Sequence, residues 1–480
     1  MEKGVLIRLN ELALKSDKKQ SFFVDKFISS LKDAFSRNAL DDFQIFQLGY
    51  TFFVSFDEPE LIVPILKNIP GVELFAITNK FSFDSFDSLL EQASVLVRDN
   101  LKNKSFRVTS RRFGKHSFSS MQLSADLGER LMPFAKSVDL HNPDVTVFME
   151  VRNNDCYLHL DWLKGLGGLP AGSSGKALVL FSGGIDCPVA MFQMLRKGVL
   201  LDSIFVNMTG DSVRNSVLSV YNFVLDKFVY SYTPKLFEVD GSEIVSYLSE
   251  RVPNSLRQQA LKIIYYSLAK ALLKKTGSWA VVTGEALSQK SSQTIQSLDL
   301  IQYKVSPLLV LRPLIAYDKN EIINIARSIG TFASSSLVKE QCNISSGRVT
   351  AVPHPKDFDR IPDLSDLIDS LLSKIIVHEG LVDLDFEDSS LEVPFSSDNF
   401  LLIDLRSRSD IIKNPLPNSI PKSFDVLKDD FSFFDKKYSY VLVCSFGVQS
   451  KELALRLRKK GFSVKAFSFK EFIKSSFSKN

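Results

Sequence analysis

Residues 178 to 190 read Leu-Val-Leu-Phe-Ser-Gly-Gly-Ile-Asp-Cys-Pro-Val-Ala, an apolar run of strand length that breaks into Ser182-Gly183-Gly184-Ile185-Asp186 and restarts with helix-forming residues after Pro188. No other stretch limits the fold as strongly, because it calls for a strand, a turn too tight for side chains and a helix, in that order. Two adjacent glycines let the main chain come close to an anion, their N–H groups can point inward as a nest, and the following helix N-terminus adds a positive dipole. Pro188 suits the first turn of that helix. A Walker loop needs Gly-x-x-x-x-Gly-Lys-Ser/Thr and the dinucleotide fingerprint needs Gly-x-Gly-x-x-Gly; this stretch matches neither. It reads as a phosphate-binding turn of a different kind.

At 480 residues the chain is too long for one hydrophobic core, so three or four domains are expected. Charges interrupt the N-terminal segment Met1 to Glu11 too often for a signal-peptide core, and no run of eighteen apolar residues occurs. A cytoplasmic protein with no membrane segment is the expectation. The net charge is only +4, but Lys102, Lys104, Arg107, Arg111, Arg112 and Lys115 fall within fifteen residues that contain no acid. That cluster is a candidate nucleic-acid surface. Phe106, Phe113 and Phe118 are interleaved with it; two readings compete, rings that stack on unpaired bases where exposed, or core phenylalanines beneath a solvated charged face, and the core reading is the more common. Cys156, Cys187, Cys342 and Cys444 lie far apart with no Cys-x-x-Cys pair, which argues against a zinc cluster and against a secreted disulfide framework. Cys156 sits in an alternating strand pattern and is expected in the core.

The first segment predicts a strand at 4–9, a helix at 21–36 and strands at 44–48 and 51–56, a small α+β unit. Helical patterns follow at 60–69, 85–100 and 119–134. Extended runs fall at 72–77 and 105–110, with a hairpin-like pair at 145–151 and 156–162. The Gly/Pro/Ser-rich stretch 165–175 marks a boundary. From residue 177, β-rich runs at 177–181, 201–207, 235–239 and 280–283 alternate with helices. That is the pattern of a doubly wound parallel sheet whose strand ends converge on one crevice. Residues 379–399 are acidic and read as a linker. A last domain has strands at 400–405 and 440–444 and a helix at 450–460.

The run 280–283 ends in Gly284 and then Glu285 to Thr294, a string of hydrogen-bonding side chains suited to a nucleotide site at a strand tip. Residues 311–319 place Arg312 and Lys319 near a helix start, where anions are usually preferred, so a phosphate partner is expected there.

The strings Arg111 to Ser120, Asn142 to Val147, Ser182 to Asp186, Val282 to Leu287 and Leu311 to Lys319, in this order, resemble the tRNA 4-thiouridine synthetases (tRNA uracil 4-sulfurtransferases) over nearly the full chain. The Ser-Gly-Gly turn itself resembles that of ATP pyrophosphatases. The resemblance implies a multidomain α/β and α+β protein with four parts: a ferredoxin-like domain at 1–58, a THUMP RNA-binding domain at 59–166, a PP-loop adenylating domain at 167–390 and a rhodanese-like domain at 391–480. It implies nucleotide contacts at Leu180, Phe181, Ser182, Gly183, Gly184, Phe205, Val206, Lys262, Gly284 and Gln293. Asp186 and Lys319 would act in adenylation, Asp186 holding Mg²⁺ against pyrophosphate and Lys319 neutralising charge on the transferring group. Phosphate contacts to tRNA would come from Arg111, Arg112 and Lys115. One departure stands out, since the family's turn usually ends in Ser where this chain has Cys187, and a thiol is the weaker donor.

In the tail, Tyr440 to Ser450 gives a strand, Cys444, a tight loop with Gly447 and a helix start, similar to the active loop of rhodaneses. Backbone N–H groups and the helix dipole favour thiolate there. Leu402 to Arg406 fits the Asp-x-Arg strand of the same fold. The resemblance further implies that Cys444 takes sulfane sulfur from a cysteine desulfurase and attacks C4 of an adenylated uridine, displacing AMP. Cys342 then resolves the bond as a Cys342–Cys444 disulfide, which a cellular reductant reopens. Sulfur transfer to a carrier protein for thiamine thiazole synthesis is a second implied outlet. Two rival readings are a sulfur-relay or RNA-binding protein without adenylation, and a THUMP-bearing RNA methyltransferase, which would need a glycine-rich S-adenosylmethionine site.

Overall fold

The computed structural model describes residues 1–9, 17–208, 211–336, 338, 350–383, 400–406, 408–427, 430–445, 447–469 and 471–473. They fall into two compact units, one of residues 1–176 with 194–200 and 228–233, the other of 177–193, 201–227 and 234–480.

In the first unit, β1 (Glu2–Leu9), β2 (Gln44–Leu48), β3 (Thr51–Ser55), β4 (Val72–Ser82), β5 (Ser105–Phe113), β6 (Ser137–Val138), β7 (Val145–Arg152), β8 (Asp155–His159) and β9 (Leu163–Lys164) share one sheet. Its order is β2-β3-β1-β4-β8-β7-β5-β6, with β9 on β4. The long strand β4 joins the halves, pairing antiparallel with β1 along most of its length and with β8 from Asn79 to Ser82. Each half has its own core. The Asp17–Arg37 helix buries Val24, Phe27, Leu31, Ala34 and Phe35, a three-to-four-residue stripe, against Val5, Ile7 and Phe52. The Phe86–Val97 and Ser120–Leu131 helices bury Leu89, Ala93, Leu123 and Leu127 against Val147 and Met149. Fully burying one such side chain is worth about 1.5–3 kcal/mol. Both helices start where the sequence places a cap, with Ser85 Oγ accepting from Ser88 N (3.1 Å) and Ser119 Oγ from Gln122 N (3.0 Å). The expected helix at 60–69 is instead a 3₁₀ turn at Pro59–Leu61 and one short turn at Val63–Leu66. Pro59 and Pro64 lack the N–H groups a longer helix would need. Cys156 is fully buried in the second core, as its strand pattern predicts.

In the second unit, β10 (Lys176–Leu180), β11 (Leu200–Asn207), β12 (Lys235–Asp240), β13 (Ala280–Val282), β14 (Val310–Leu311) and β15 (Ile376–Glu379) form a sheet of order β14-β13-β10-β11-β12-β15. Pairings are parallel from β13 to β10, β13 to β14 and β11 to β12. The exception is β15, which lies antiparallel on β12 and takes Glu379 out of the expected linker and into a ladder. The Arg257–Thr276 helix covers the sheet with Ala260, Leu261, Ile264, Leu268 and Leu272, and ends on Gly277 at φ 68°. From β10 the chain passes to β11 on one side, while from β13 it passes to β14 on the other. The strand tips of β10 and β13 therefore flank a topological switch point.

A further sheet of the second unit is parallel throughout, β17-β16-β18-β19, built from β16 (Phe400–Asp404), β17 (Ser419–Pro421), β18 (Ser439–Cys444) and β19 (Ser463–Ser468). The Val448–Lys459 helix packs Leu453, Ala454 and Leu457 into its core. Among the described residues no helix is long and apolar enough to cross a membrane.

Candidate functional site

The turn after β10 forms as its glycines require. Gly183 has φ +71° and lies so close to Val217 that a Cβ would meet its Cα at 2.9 Å. The helix that follows runs Asp186–Arg196. Gly284, at the tip of β13, would place a Cβ 3.0 Å from Asp186 C and Cys187 N, so only glycine lets this loop lie against the helix start. Between the two tips opens a cavity of about 400 Å³.

Of the expected site residues, Leu180, Phe181, Ser182, Gly184, Asp186, Val206, Lys262, Gly284, Gln293 and Lys319 line this cavity. Gly183 and Phe205 do not, Gly183 being packed on Val217 and Phe205 almost fully buried in β11. Lys319 Nζ bonds Asp186 Oδ1 at 2.6 Å. Lys319 is held at the first position of the Lys319–Ile329 helix by an Asp318/Glu321 capping box. The Cys187 thiol is bound within the turn, with Sγ 3.1 Å from Ser182 Oγ and 3.4 Å from the Leu180 carbonyl. Two buried polar atoms on the wall, Gln293 Oε1 and Ser335 Oγ, have no partner among the described residues. An unpaired buried polar atom is costly, so these positions suit a polar ligand.

Sequence reasoning did not single out Glu285. It is 6% exposed and accepts from Lys262 Nζ, Tyr266 Oη (2.5 Å), Thr283 Oγ1 (3.2 Å) and Arg312 Nε (2.8 Å). Burial pushes its pKa up, but the charges and hydrogen bonds around it, led by Lys262, hold it down to about 2. Burial and the adjacent Glu285 charge push the Tyr266 phenol well above its usual range. The available signal was two cations, Lys262 and Arg312, on segments flanking the polar run that contains Glu285. Of the two carboxylates lining the cavity among the described residues, Glu285 is saturated by these donors. Asp186 is therefore the one able to offer an oxygen to a magnesium–phosphate ligand, which needs only one or two protein carboxylates.

At the end of β18, Cys444 is 3% exposed, and its Sγ lies 3.4 Å from both the N and the Oγ of Ser450. Gly447, at φ +82°, turns the chain into the following helix. Ser450 Oγ donates in turn to the Gly447 and Phe467 carbonyls (3.0 and 2.9 Å). Next to it in the sheet, Asp404 and Arg406 form a buried pair at 2.7 Å, with Arg406 also bonded to the Asn414 carbonyl. Cys342 lies outside the described residues.

In the first unit, Arg111, Arg112 and Lys115 are exposed on and just beyond β5. Phe106 and Phe118 take the core alternative, both being buried in this half's core, so neither ring is exposed for stacking. The Phe113 ring is 42% exposed and has the Arg152 guanidinium 3.8 Å from its centre. A neighbouring cluster was not foreseen. Arg8 lies over the Trp162 ring at 4.2 Å and bonds the buried Glu150 at 3.1 Å, and Arg111 lines the same small pocket. Burial and the Arg8 charge hold the pKa of His159 in that pocket down to about 3, so the ring is neutral near pH 7.

The fold and the crevice define a class: an α/β protein with a glycine turn and a cavity at the switch point of a mainly parallel sheet. The family model described as Thiamine biosynthesis protein (ThiI) matches residues 172–362, and the THUMP domain model matches 83–161. A tRNA sulfurtransferase of Desulfurococcus amylolyticus is 34% identical over 414 residues, 84% of each chain. One from Blochmanniella pennsylvanica is 30% identical over 482 residues, 96% of this chain and 98% of its own. A 4-thiouridine synthetase solved in complex with RNA and bound ATP superposes with a TM-score of 0.69 at 25% identity, covering 79% of this chain and 100% of its own. This chain belongs to the tRNA sulfurtransferase family.

Proposed function

We propose that the chain is an ATP-dependent sulfurtransferase that adenylates uridine 8 of tRNA and replaces its O4 with sulfur, giving 4-thiouridine, AMP and pyrophosphate. The observation that carries this reading is the Asp186–Lys319 pair in the switch-point cavity, beside the glycine turn. The ATP-bound structural relative supports the same choice of nucleotide. In this reading residues 1–58 form a ferredoxin-like domain, 59–166 the THUMP domain, 167–390 the adenylating domain and 391–480 a rhodanese-like sulfur carrier.

The N–H groups of Ser182 to Gly184 and the helix dipole hold the phosphates, while Leu180, Phe181, Val206 and Gln293 surround the base and ribose. Asp186 would hold magnesium, which would supply charge neutralisation for pyrophosphate departure. Lys319 neutralises charge on the α-phosphoryl group as the uridine O4 attacks it. Arg111, Arg112 and Lys115 hold tRNA by its phosphates. A cysteine desulfurase loads Cys444 as a persulfide, whose terminal sulfur attacks C4 and expels AMP. The Cys342 thiolate then attacks the Cys444 sulfur, releasing the thiolated uridine and leaving a disulfide, and a cellular dithiol returns the two electrons. The same persulfide feeds a sulfur-carrier protein for thiamine thiazole formation, and the whole cycle is cytoplasmic.

The test has two readouts, tRNA-dependent pyrophosphate release by the purified protein and mass spectrometry of nucleosides from cells lacking the gene. Pyrophosphate release with tRNA, together with loss of 4-thiouridine in those cells, is the expected result. Absence of tRNA-dependent pyrophosphate release would favour a sulfur relay without adenylation.

A further inference from the structure

Lys262 reaches the cavity from the Arg257–Thr276 helix on a flexible four-carbon stem, and such a stem does not aim an ammonium group by itself. We propose that Glu285 is a positioning residue that aims Lys262 at the bound nucleotide phosphates, with Arg312 and Tyr266 holding Glu285 in place. The inference rests on the nucleotide reading of the cavity.

Three observations support it. First, the Glu285 carboxylate is fully committed: Oε1 takes the Lys262 ammonium, and Oε2 takes Tyr266, Thr283 and Arg312. A carboxylate has about four acceptor sites, so this one has little freedom to turn. Second, its backbone follows Gly284, which lies against Asp186 and Cys187, so the carboxylate is referenced to the phosphate turn itself. Third, Lys262 has three N–H donors. Glu285 takes one and the Ser292 carbonyl, at 3.5 Å, takes another, leaving a donor for a ligand in the cavity that Lys262 lines. Arg312 is not among the residues lining the cavity, and its charge offsets that of Glu285. The Lys262 charge is therefore left to act on the ligand and is not cancelled by the carboxylate that orients it. A purely stabilising ion cluster would not need a cation on the cavity wall, and apolar replacements of such clusters are often neutral for stability.

The test is a double-mutant cycle in the full-length protein, reading ATP binding by equilibrium dialysis and kcat and KM for tRNA-dependent pyrophosphate release. Lys262→Met and Glu285→Gln are each expected to raise KM for ATP about tenfold, the size of one charge-assisted hydrogen bond. The double variant should be no worse than Lys262→Met alone, and tRNA affinity should stay at the wild-type value. Glu285→Asp keeps the charge but shortens the reach, and should raise KM with less effect on kcat. If Glu285→Gln fails to fold, Glu285→Asp carries the test. Additive losses in the double variant, or an unchanged KM in Glu285→Asp, would overturn the inference while leaving the nucleotide reading intact. Wild-type protein that binds no ATP would overturn both.

Discussion

Two turns in this molecule share one backbone device and put it to opposite use. After β10, the chain passes through Gly183 at φ +71° into the Asp186–Arg196 helix. After β18, it passes through Gly447 at φ +82° into the Val448–Lys459 helix. The first turn opens onto a cavity with the Asp186–Lys319 pair on its wall, whereas the second closes on Cys444, 3% exposed and held by Ser450. At the second corner the Ser450 N–H meets an internal sulfur, while on the proposed reading the first corner's N–H groups meet an external phosphate. Beside β10 the neighbouring tip of β13 is glycine-thin and leaves space. Beside β18, β19 runs in register through Ser468 and fills it.

The sharpest way to break this division is to disable each turn alone. Asp186→Ala should reduce tRNA-dependent pyrophosphate release by about 100-fold or more, the scale of losing a key electrostatic group, with tRNA binding intact. Cys444→Ser should make no 4-thiouridine yet still release pyrophosphate. A nucleoside and pyrophosphate assay on both variants decides it, and loss of pyrophosphate release in Cys444→Ser would show that the turns are not separate in function.

A smaller effect should come from the exposed cations on and just beyond β5, proposed to hold tRNA, which belong to neither turn. Replacing Arg111, Arg112 and Lys115 together by Ala should weaken tRNA binding and lower the slope of log K against log salt by about two to three, at roughly 0.7–0.9 per phosphate contact. An unchanged slope in filter-binding titrations removes them from the interface.

The glycines themselves should differ in chemical denaturation. Gly183→Ala combines positive φ with a backbone clash on Val217 at 2.9 Å and should cost about 2–4 kcal/mol. Gly447→Ala meets Ser468 at 3.3 Å and should cost about 1–2 kcal/mol. Equal losses would mean that the first turn relaxes more readily than its packing suggests.

The smallest change is expected from Cys187→Ser. A hydroxyl is the better donor at a position already 3.1 Å from Ser182 Oγ, so ATP should bind more tightly by a factor of about three or less. Non-reducing peptide mapping after one turnover should still show a Cys342–Cys444 bridge in this variant. A Cys187–Cys444 bridge in the wild type would recast Cys187 as the resolving thiol and erase the contrast between the turns.

Much of this was legible in the amino-acid order. Ser85 and Ser119 mark helix starts because a capping hydroxyl acts within three residues, and the glycine turns and their strands are equally local. Ten of the twelve expected nucleotide-site and adenylation residues line one cavity because strand tips and loop starts can be read one segment at a time. Other features depend on partners distant in sequence. That one sheet runs from β2 to β6 follows from the length of β4 and its two different neighbours. The reversal of β15 depends on where a chain returning after more than 130 residues meets β12. Phe106 and Phe118 share their local pattern with exposed phenylalanines, and only the packing against Leu123 and Leu127 buries them. Glu285 looks like one more polar residue in a loop until helix, strand and loop bring Lys262, Tyr266, Thr283 and Arg312 to its two oxygens. The sequence alone determined which segments would be strand, turn and helix and which residues could carry charge or sulfur, since those depend on neighbours a few bonds away. Burial and pairing were decided by the tertiary structure, because desolvation and electrostatic partners are properties of the space a side chain enters.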